Sequence, residues 1–250
     1  KVTYTRKDDR FIELYERGAI ANKAKADLFI SVHCNSSPNK EAHGSESYVL
    51  GLHANDLNFE VAKEENQVIY LEKDYKEKYA GYDINSPESF IGLSIMQEEF
   101  LEQSIQMGKR IQNALAENPL SRDRGVKQAG FIVLHQTYMP SVLIETGFLS
   151  NQAERDFLNS SEGQQQVAQG IVKAINNYYH WLKNNSLLTK DSSSTDKGDT
   201  FYRVQIATSN KNLDAIPANF KGLSPIFKEK IGTSFRYYYG REIDKRKIEN

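Results

Sequence analysis

Cysteine, net charge and long apolar runs are what this chain is short of, and each shortage excludes something. With one cysteine, Cys34, among 250 residues, there is no internal disulfide framework, and the compartment stays open. Lys and Arg total 32 against 33 Asp and Glu, a formal net charge of -1. That balance argues against a nucleic-acid binder working by bulk electrostatics. No apolar stretch approaches the roughly 18 residues of a membrane-spanning helix, and there is no evident internal repeat. The first residues carry neither Met nor the pattern of a signal peptide.

What is present is the composition of a globular protein, 39% hydrophobic and 26% charged, in a length that accommodates one large domain or a medium one with a small companion. Lys1 to Arg6 reads as an opening strand, which predicts a domain begun further upstream. Asp8 or Asp9 is placed to cap a helix over about residues 10–25; strands are expected over 27–33 and from Gly44 to Leu50, and 35–39 is a loop. Residues 56–71 read as a charged helix and 73–87 as an exposed polar loop. A long amphipathic helix is expected from Pro87 to about Glu117, with Phe90, Leu93, Ile95, Phe100, Leu101, Ile105 and Leu115 on its buried stripe. Residues 130–134 and 141–145 predict two short β-segments around Met139-Pro140. Asn151 is placed to cap a short helix to Leu158, and a further helix is expected over about 161–183. Residues 184–200 have the composition of a flexible linker. Beyond it, segments 201–207, 211–219, 225–229 and 233–239, with Gly232 in the last turn, predict a small β–α–β–β unit. The expected fold class is therefore α/β, a mostly parallel sheet flanked by helices over residues 1–183, followed by a small α+β domain over 201–250.

Two apolar runs end in an ionisable group where a buried strand has no use for one. Ser141-Val142-Leu143-Ile144 ends in the lone carboxylate of Glu145 just before Gly147, and Leu28-Phe29-Ile30-Ser31-Val32 ends in the imidazole of His33. Burying an unpaired carboxylate costs several kcal/mol or forces its protonation. Two such strand ends predict one shared site at the edge of an α/β sheet. The pair suits metal-assisted hydrolysis: a neutral imidazole binds zinc, and a carboxylate takes a proton from water and hands it to a leaving amine. Taken singly, His33 also fits a hydrogen-bonded strand-end histidine, and Glu145 a capping or salt-bridging carboxylate. Adjacent strand residues face opposite ways, which argues against a Cys34–His33 nucleophile. His43 and His53 read as surface or groove residues and His180 as structural, while His135 sits just beyond a strand from which it could approach the site.

The words around these residues carry a resemblance. Tyr4-Thr5-Arg6-Lys7-Asp8-Asp9, then Leu14-Tyr15-Glu16-Arg17, Ala21-Asn22, and Ala26-Asp27-Leu28-Phe29-Ile30-Ser31-Val32-His33-Cys34-Asn35 resemble the zinc-dependent N-acetylmuramoyl-L-alanine amidases of bacterial cell walls. So do Arg122-Asp123-Arg124-Gly125-Val126-Lys127, Phe131-Ile132-Val133-Leu134, and Pro140-Ser141-Val142-Leu143-Ile144-Glu145-Thr146-Gly147-Phe148-Leu149-Ser150-Asn151. Two long matched words in the right order over about residues 1–183 are a specific signal. The resemblance implies that His33 binds zinc, that Glu145 is the catalytic glutamate, and that the substrate is peptidoglycan. Asn35 and Arg124 are expected to shape the substrate groove. The family's other zinc ligands, in a Gly-His-Gly-Gly-like turn and the helix after it, have no counterpart here. The expectation is thus a catalytic domain lacking its N-terminal strand and helix, in the periplasm or cell envelope.

The polar insertion at about 52–105 is longer than a connection between strands needs. In some amidases of this type a helix in this region plugs the zinc cleft until an activator protein displaces it, so part of 56–90, with Glu60, Glu64, Glu65, Glu72 and Glu77, is a candidate plug beside the plainer reading of a solvated helix and loop. The tail words Tyr202-Arg203-Val204-Gln205-Ile206-Ala207 and Ser234-Phe235-Arg236-Tyr237-Tyr238-Tyr239-Gly240 resemble the start of a SPOR domain. That implies binding of glycan strands without stem peptides, with Tyr237 and Tyr239 suited to sugar packing. Two rival readings stay open: a non-catalytic wall-binding or regulatory protein that keeps the amidase shape, and a hydrolase of another amide or ester.

Overall fold

A computed structural model describes residues 1–51, 56–80, 82–86, 98–118, 121–191, 202–209, 211–220, 222–231 and 234–242. The chain forms two compact units, Lys1–Leu187 and Leu188–Asn250.

In the first unit the described strands are β1 (Phe29–Asn35), β2 (Ser45–Leu50), β3 (Asp123–Ala129) and β4 (Ser141–Phe148), in the spatial order β1-β4-β2-β3. β1 with β4 and β2 with β3 are parallel, while β2 and β4 run antiparallel. The sheet is therefore mixed. β4 and β2, the inner strands, are buried at every position, which is why the apolar run of 142–144 needs no polar alternation. β3 is a strand with no apolar run to announce it: Asp123-Arg124-Gly125-Val126-Lys127-Gln128-Ala129 lies at an edge, where polar side chains are the usual protection.

The helices are α1 (Leu14–Lys23), α2 (Asp56–Asn66), α3 (Tyr75–Lys78), α4 (Glu98–Leu115), α5 (Ile132–His135), α6 (Gln152–Asn159) and α7 (Ser161–Asp191). They cover the two faces of the sheet. Tyr48 and Leu143 pack with Leu14, Ala62, Ile69, Phe131 and Leu134 on one face; Val49, Val142 and Ile144 pack with Met107, Ile111 and Ala174 on the other. Strand alternation puts Glu145, two residues from Leu143, on the first face, under α1, α2 and α5.

Several expectations are corrected. Residues 1–6 form no strand: Val2 and Tyr4 are exposed, and no described strand pairs with them. α1 starts at Leu14 and is capped in trans. The Oε1 of the buried Glu72 accepts the Leu14 N–H at 2.7 Å, whereas Asp8 is turned to Arg10. Residues 130–134 are not a β-segment. They form a turn and α5, because the side chain of Asn66 accepts from Ile132 N (3.0 Å) and donates to Gly130 O (2.7 Å), closing the backbone where a strand would open it. The expected exposed loop at 73–87 contains α3 and buries Ile84, with Tyr79 and Tyr82 packed on the core. The charged helix at 56–71 ends at Asn66 and continues as a 3-10 turn, Gln67–Leu71. α7 continues through the first part of the expected linker, to Asp191. The N-terminal part of the expected long helix, with Phe90, Leu93 and Ile95, lies outside the described residues, as do His53, Gly232 and 192–200. Asn151 does cap its helix, accepting from Glu154 N at 3.2 Å.

The second unit is a three-stranded antiparallel sheet, β5 (Tyr202–Ser209), β6 (Ile226–Ile231) and β7 (Ser234–Glu242), in the order β5-β7-β6. The helix expected at 211–219 is only a 3-10 turn, Pro217–Asn219. Tyr237 is fully buried, its ring 4.7 Å from Phe220 and its hydroxyl accepting from Leu213 N at 2.7 Å.

Candidate metal and catalytic site

β1 and β4 run parallel in register, so His33 and Glu145 are direct Cα partners near their C-terminal ends. β2 adds a third position to the row, because Glu46 is the antiparallel partner of Glu145. A row of His33, Glu145 and Glu46 thus crosses three neighbouring strands on the face that α2 covers. α2 contributes Glu65, whose Oε2 lies 2.8 Å from His33 Nδ1. His33, Glu65 and Glu145 each offer a ligand atom, and these atoms lie within 4.8 Å of one another. The other imidazole nitrogen, Nε2, is 3.0 Å from Ser31 Oγ.

The two carboxylates of the row are held in opposite states. Glu145 is 1% exposed and its Oε2 has no hydrogen-bond partner among the described residues. Burial, aided by the charges of Glu65 and Glu46, pushes its pKa up to about 9. Glu46 is as deeply buried, and burial alone would raise it too. Hydrogen bonds from Lys127 (2.8 Å), Tyr48 (2.5 Å) and Arg124 outweigh that penalty and hold it below the usual carboxylate range. One carboxylate is kept ionised beside another that favours its proton.

The helix that delivers Glu65 is fixed at both ends. Asn58 donates to Gln128 O, and the buried Asn66 bonds Gly130, Ile132 and Tyr82. At the opposite edge, Glu154 accepts from Gly44 N (2.8 Å) and Phe148 N (2.7 Å), tying the entrance of β2 to the end of β4. Gly44 has φ +107°, and a Cβ there would stand 2.3 Å from Arg122 O, so no other residue fits the close approach that starts β2.

The remaining expected residues fall as follows. Asn35 is buried, accepts from Ser36 N at 2.7 Å through Oδ1, and pairs with Phe148 on β4. Arg124 lies over Phe148, its guanidinium carbon 5.1 Å from the ring centre, while its Nε donates to Glu46. Cys34 turns from His33 to Thr146 Oγ1, 3.3 Å away. His43 and His180 are exposed, and neither they nor His135 join the metal-capable group. Burial lowers the His135 pKa and keeps its ring neutral. Of the five acidic residues proposed for the insertion, Glu65 reaches the site and Glu72 caps α1. Glu46 and Lys127 were not anticipated. The alternation of Glu46 with Tyr48 marked a common face but gave no hint of which strand lay beside it.

Comparison with known proteins places these features in a family. The N-acetylmuramoyl-L-alanine amidase family model matches residues 1–177. The N-acetylmuramoyl-L-alanine amidase AmiA of Salmonella typhimurium is 29% identical over 191 residues, 74% of this chain and 63% of its own length. AmiC of Escherichia coli O6:H1 is 33% identical over 184 residues, 72% of this chain and 42% of its own. The crystal structure of an N-acetylmuramoyl-L-alanine amidase from Clostridium difficile 630 is 24% identical with a TM-score of 0.48, covering 70% of this chain and 69% of that one. The chain thus spans less than two thirds of the length of these two curated amidases.

Proposed function

The chain belongs to the N-acetylmuramoyl-L-alanine amidase family, and we propose that it hydrolyses the amide between the lactyl group of N-acetylmuramic acid and L-alanine in peptidoglycan, with zinc as cofactor. The observation that carries this reading is the in-register pairing of His33 with Glu145, with Glu65 completing a metal-capable group. The His33 imidazole and the Glu65 carboxylate are donors that zinc accepts, and the partnerless Oε2 of Glu145 beside them is left to hold a proton. When bound, zinc polarises the scissile carbonyl and acidifies the attacking water. His33 would hold the metal. Glu145 takes the proton from water and returns it to the leaving amine of L-alanine, a task for which a raised proton affinity fits it. Asn35 and Arg124 border the groove. The reaction belongs to cell-wall remodelling or daughter-cell separation in the periplasm or cell envelope.

Glu65 approaches His33 from α2, so the helix stands over the imidazole assigned to zinc. In this reading α2 is a plug that an activator protein displaces. Deleting the whole insertion would not test it, since Ala62, Asn66 and Ile69 belong to the core and Glu72 caps α1. The second unit binds glycan lacking stem peptides. Burial of Tyr237 removes it from the expected sugar surface, while Tyr239 stays exposed; the opposite sheet face offers Tyr238 and Phe227, which are register partners, with Arg203 3.9 Å over the Phe227 ring.

The test is Glu145→Ala. The variant is expected to fold and to retain zinc, measured as metal per chain, while losing cleavage of purified peptidoglycan. Near-normal turnover would refute the role.

A further inference from the structure

Glu46 is matched by two cations, Arg124 and Lys127, and the excess positive charge lies at the β3 edge of the row that holds Glu145. The two cations are not equivalent. Arg124 uses only Nε on Glu46, and its guanidinium carbon lies 5.1 Å from the centre of the Phe148 ring. Its terminal nitrogens make no hydrogen bond to the described residues. The Arg124 side chain is 31% exposed and that of Lys127 26%, against 2% for Glu46. A guanidinium held through Nε, with its outer pair of N–H groups unused, matches a carboxylate in bidentate fashion. The deeply buried Glu46 serves as the fixed anchor, and the Lys127 ammonium, which gives Glu46 one bond, adds charge beside the fork.

We infer that Arg124, supported by Lys127, recognises a free carboxylate on the peptide of the substrate, at the second or third residue from the scissile amide; the inference rests on the amidase reading. The spacing sets the position. The guanidinium reaches back from β3 to Glu46, the strand neighbour of Glu145, so it stands between one and two inter-strand steps, roughly 5–10 Å, from Glu145, and an extended peptide covers about 3.3–3.6 Å per residue. With α2 displaced, a peptide laid across the row from Glu145 brings its second or third residue to Arg124.

The experiment uses the full chain and soluble muramoyl peptides that differ only by carboxylate or carboxamide at the second and third residues. The wild type is expected to cleave the carboxylate form with a kcat/KM about tenfold higher, the size of a charge-assisted pair, with the difference in KM. Arg124→Gln erases the preference. Arg124→Lys preserves a charge for Glu46, guarding against misfolding, yet loses most of the preference because the fork is gone. Titration of the free peptides follows the same order. Equal cleavage and binding of the two forms by the wild type overturns the inference, as does an equal loss on both forms in the Arg124 variants, the mark of a merely structural salt bridge. If neither peptide is cleaved while Arg124-dependent carboxylate binding persists, the amidase reading falls and the recognition stands.

Discussion

Glu145 is the residue on which chemistry and stability pull apart. Its carboxyl is buried, carries a partnerless oxygen and titrates near 9 in the folded protein. The sign of its effect on stability follows. The folded pKa exceeds the unfolded one, so the favourable contribution is complete below the ordinary carboxylate range and disappears as pH rises towards about 9. Chelator-treated wild type should therefore lose thermal stability between about pH 5 and 9, and Glu145→Gln should flatten that slope in melting curves. The same variant should reduce peptidoglycan cleavage at least about 100-fold, the usual contribution of a positioned proton carrier. Glu46, one strand away, predicts the opposite: its ionised form is the one the fold stabilises, so Glu46→Ala leaves Arg124 and Lys127 without their buried partner and should cost about 3 kcal/mol or more in urea unfolding.

At the scale of elements, α2 brings Glu65 to His33, and Asn66 at its end bonds Gly130 and Ile132. Replacing Asn66 by Ala strands Gly130 O and Ile132 N in a buried environment. An expected loss of about 2–4 kcal/mol follows from one to two unsatisfied backbone groups, measurable by denaturant titration. Glu65→Ala is milder for the fold, since that side chain is 32% exposed, and it separates the plug from the scaffold. If α2 blocks the site, Glu65→Ala should raise basal peptidoglycan cleavage; an unchanged or lower rate with reduced zinc content would assign Glu65 to the metal site alone. α5 shows how one side chain redirects an element. The run of 131–134 is apolar and β-rich, and the amide of Asn66, far away in sequence, makes it a helical turn.

For the whole molecule, the two units predict separable behaviour. The first has a core on each face of its sheet, so a chain ending at residue 187 should keep the melting transition of that unit. It should still cleave soluble muramoyl peptides while sedimenting less with intact peptidoglycan sacculi. Tyr238→Ala in the full chain should weaken sedimentation in the same way without changing cleavage of the soluble peptides. Equal sedimentation of the shortened and full chains would remove the glycan-binding role of the second unit.

The residues themselves determined where β1 and β4 run and which groups stand at their ends, because an apolar run broken by a lone His or Glu has few stable explanations. They also marked the Asn151 cap, a local hydrogen bond that needs only its own helix. The rest required neighbours. β3 is polar because it is an edge, and only the strand order reveals an edge. The antiparallel step between β2 and β4 puts Glu46 beside Glu145, a relation with no trace in the spacing of 46 and 145. The insertion read as solvated because its charges were visible, while its buried contacts, Asn66 to Ile132 and Glu72 to Leu14, are made across long stretches of chain. Sequence specified the chemical groups; tertiary packing decided their partners, because proton affinity and metal-ligating capacity depend on what lies within a few ångströms in space rather than along the chain.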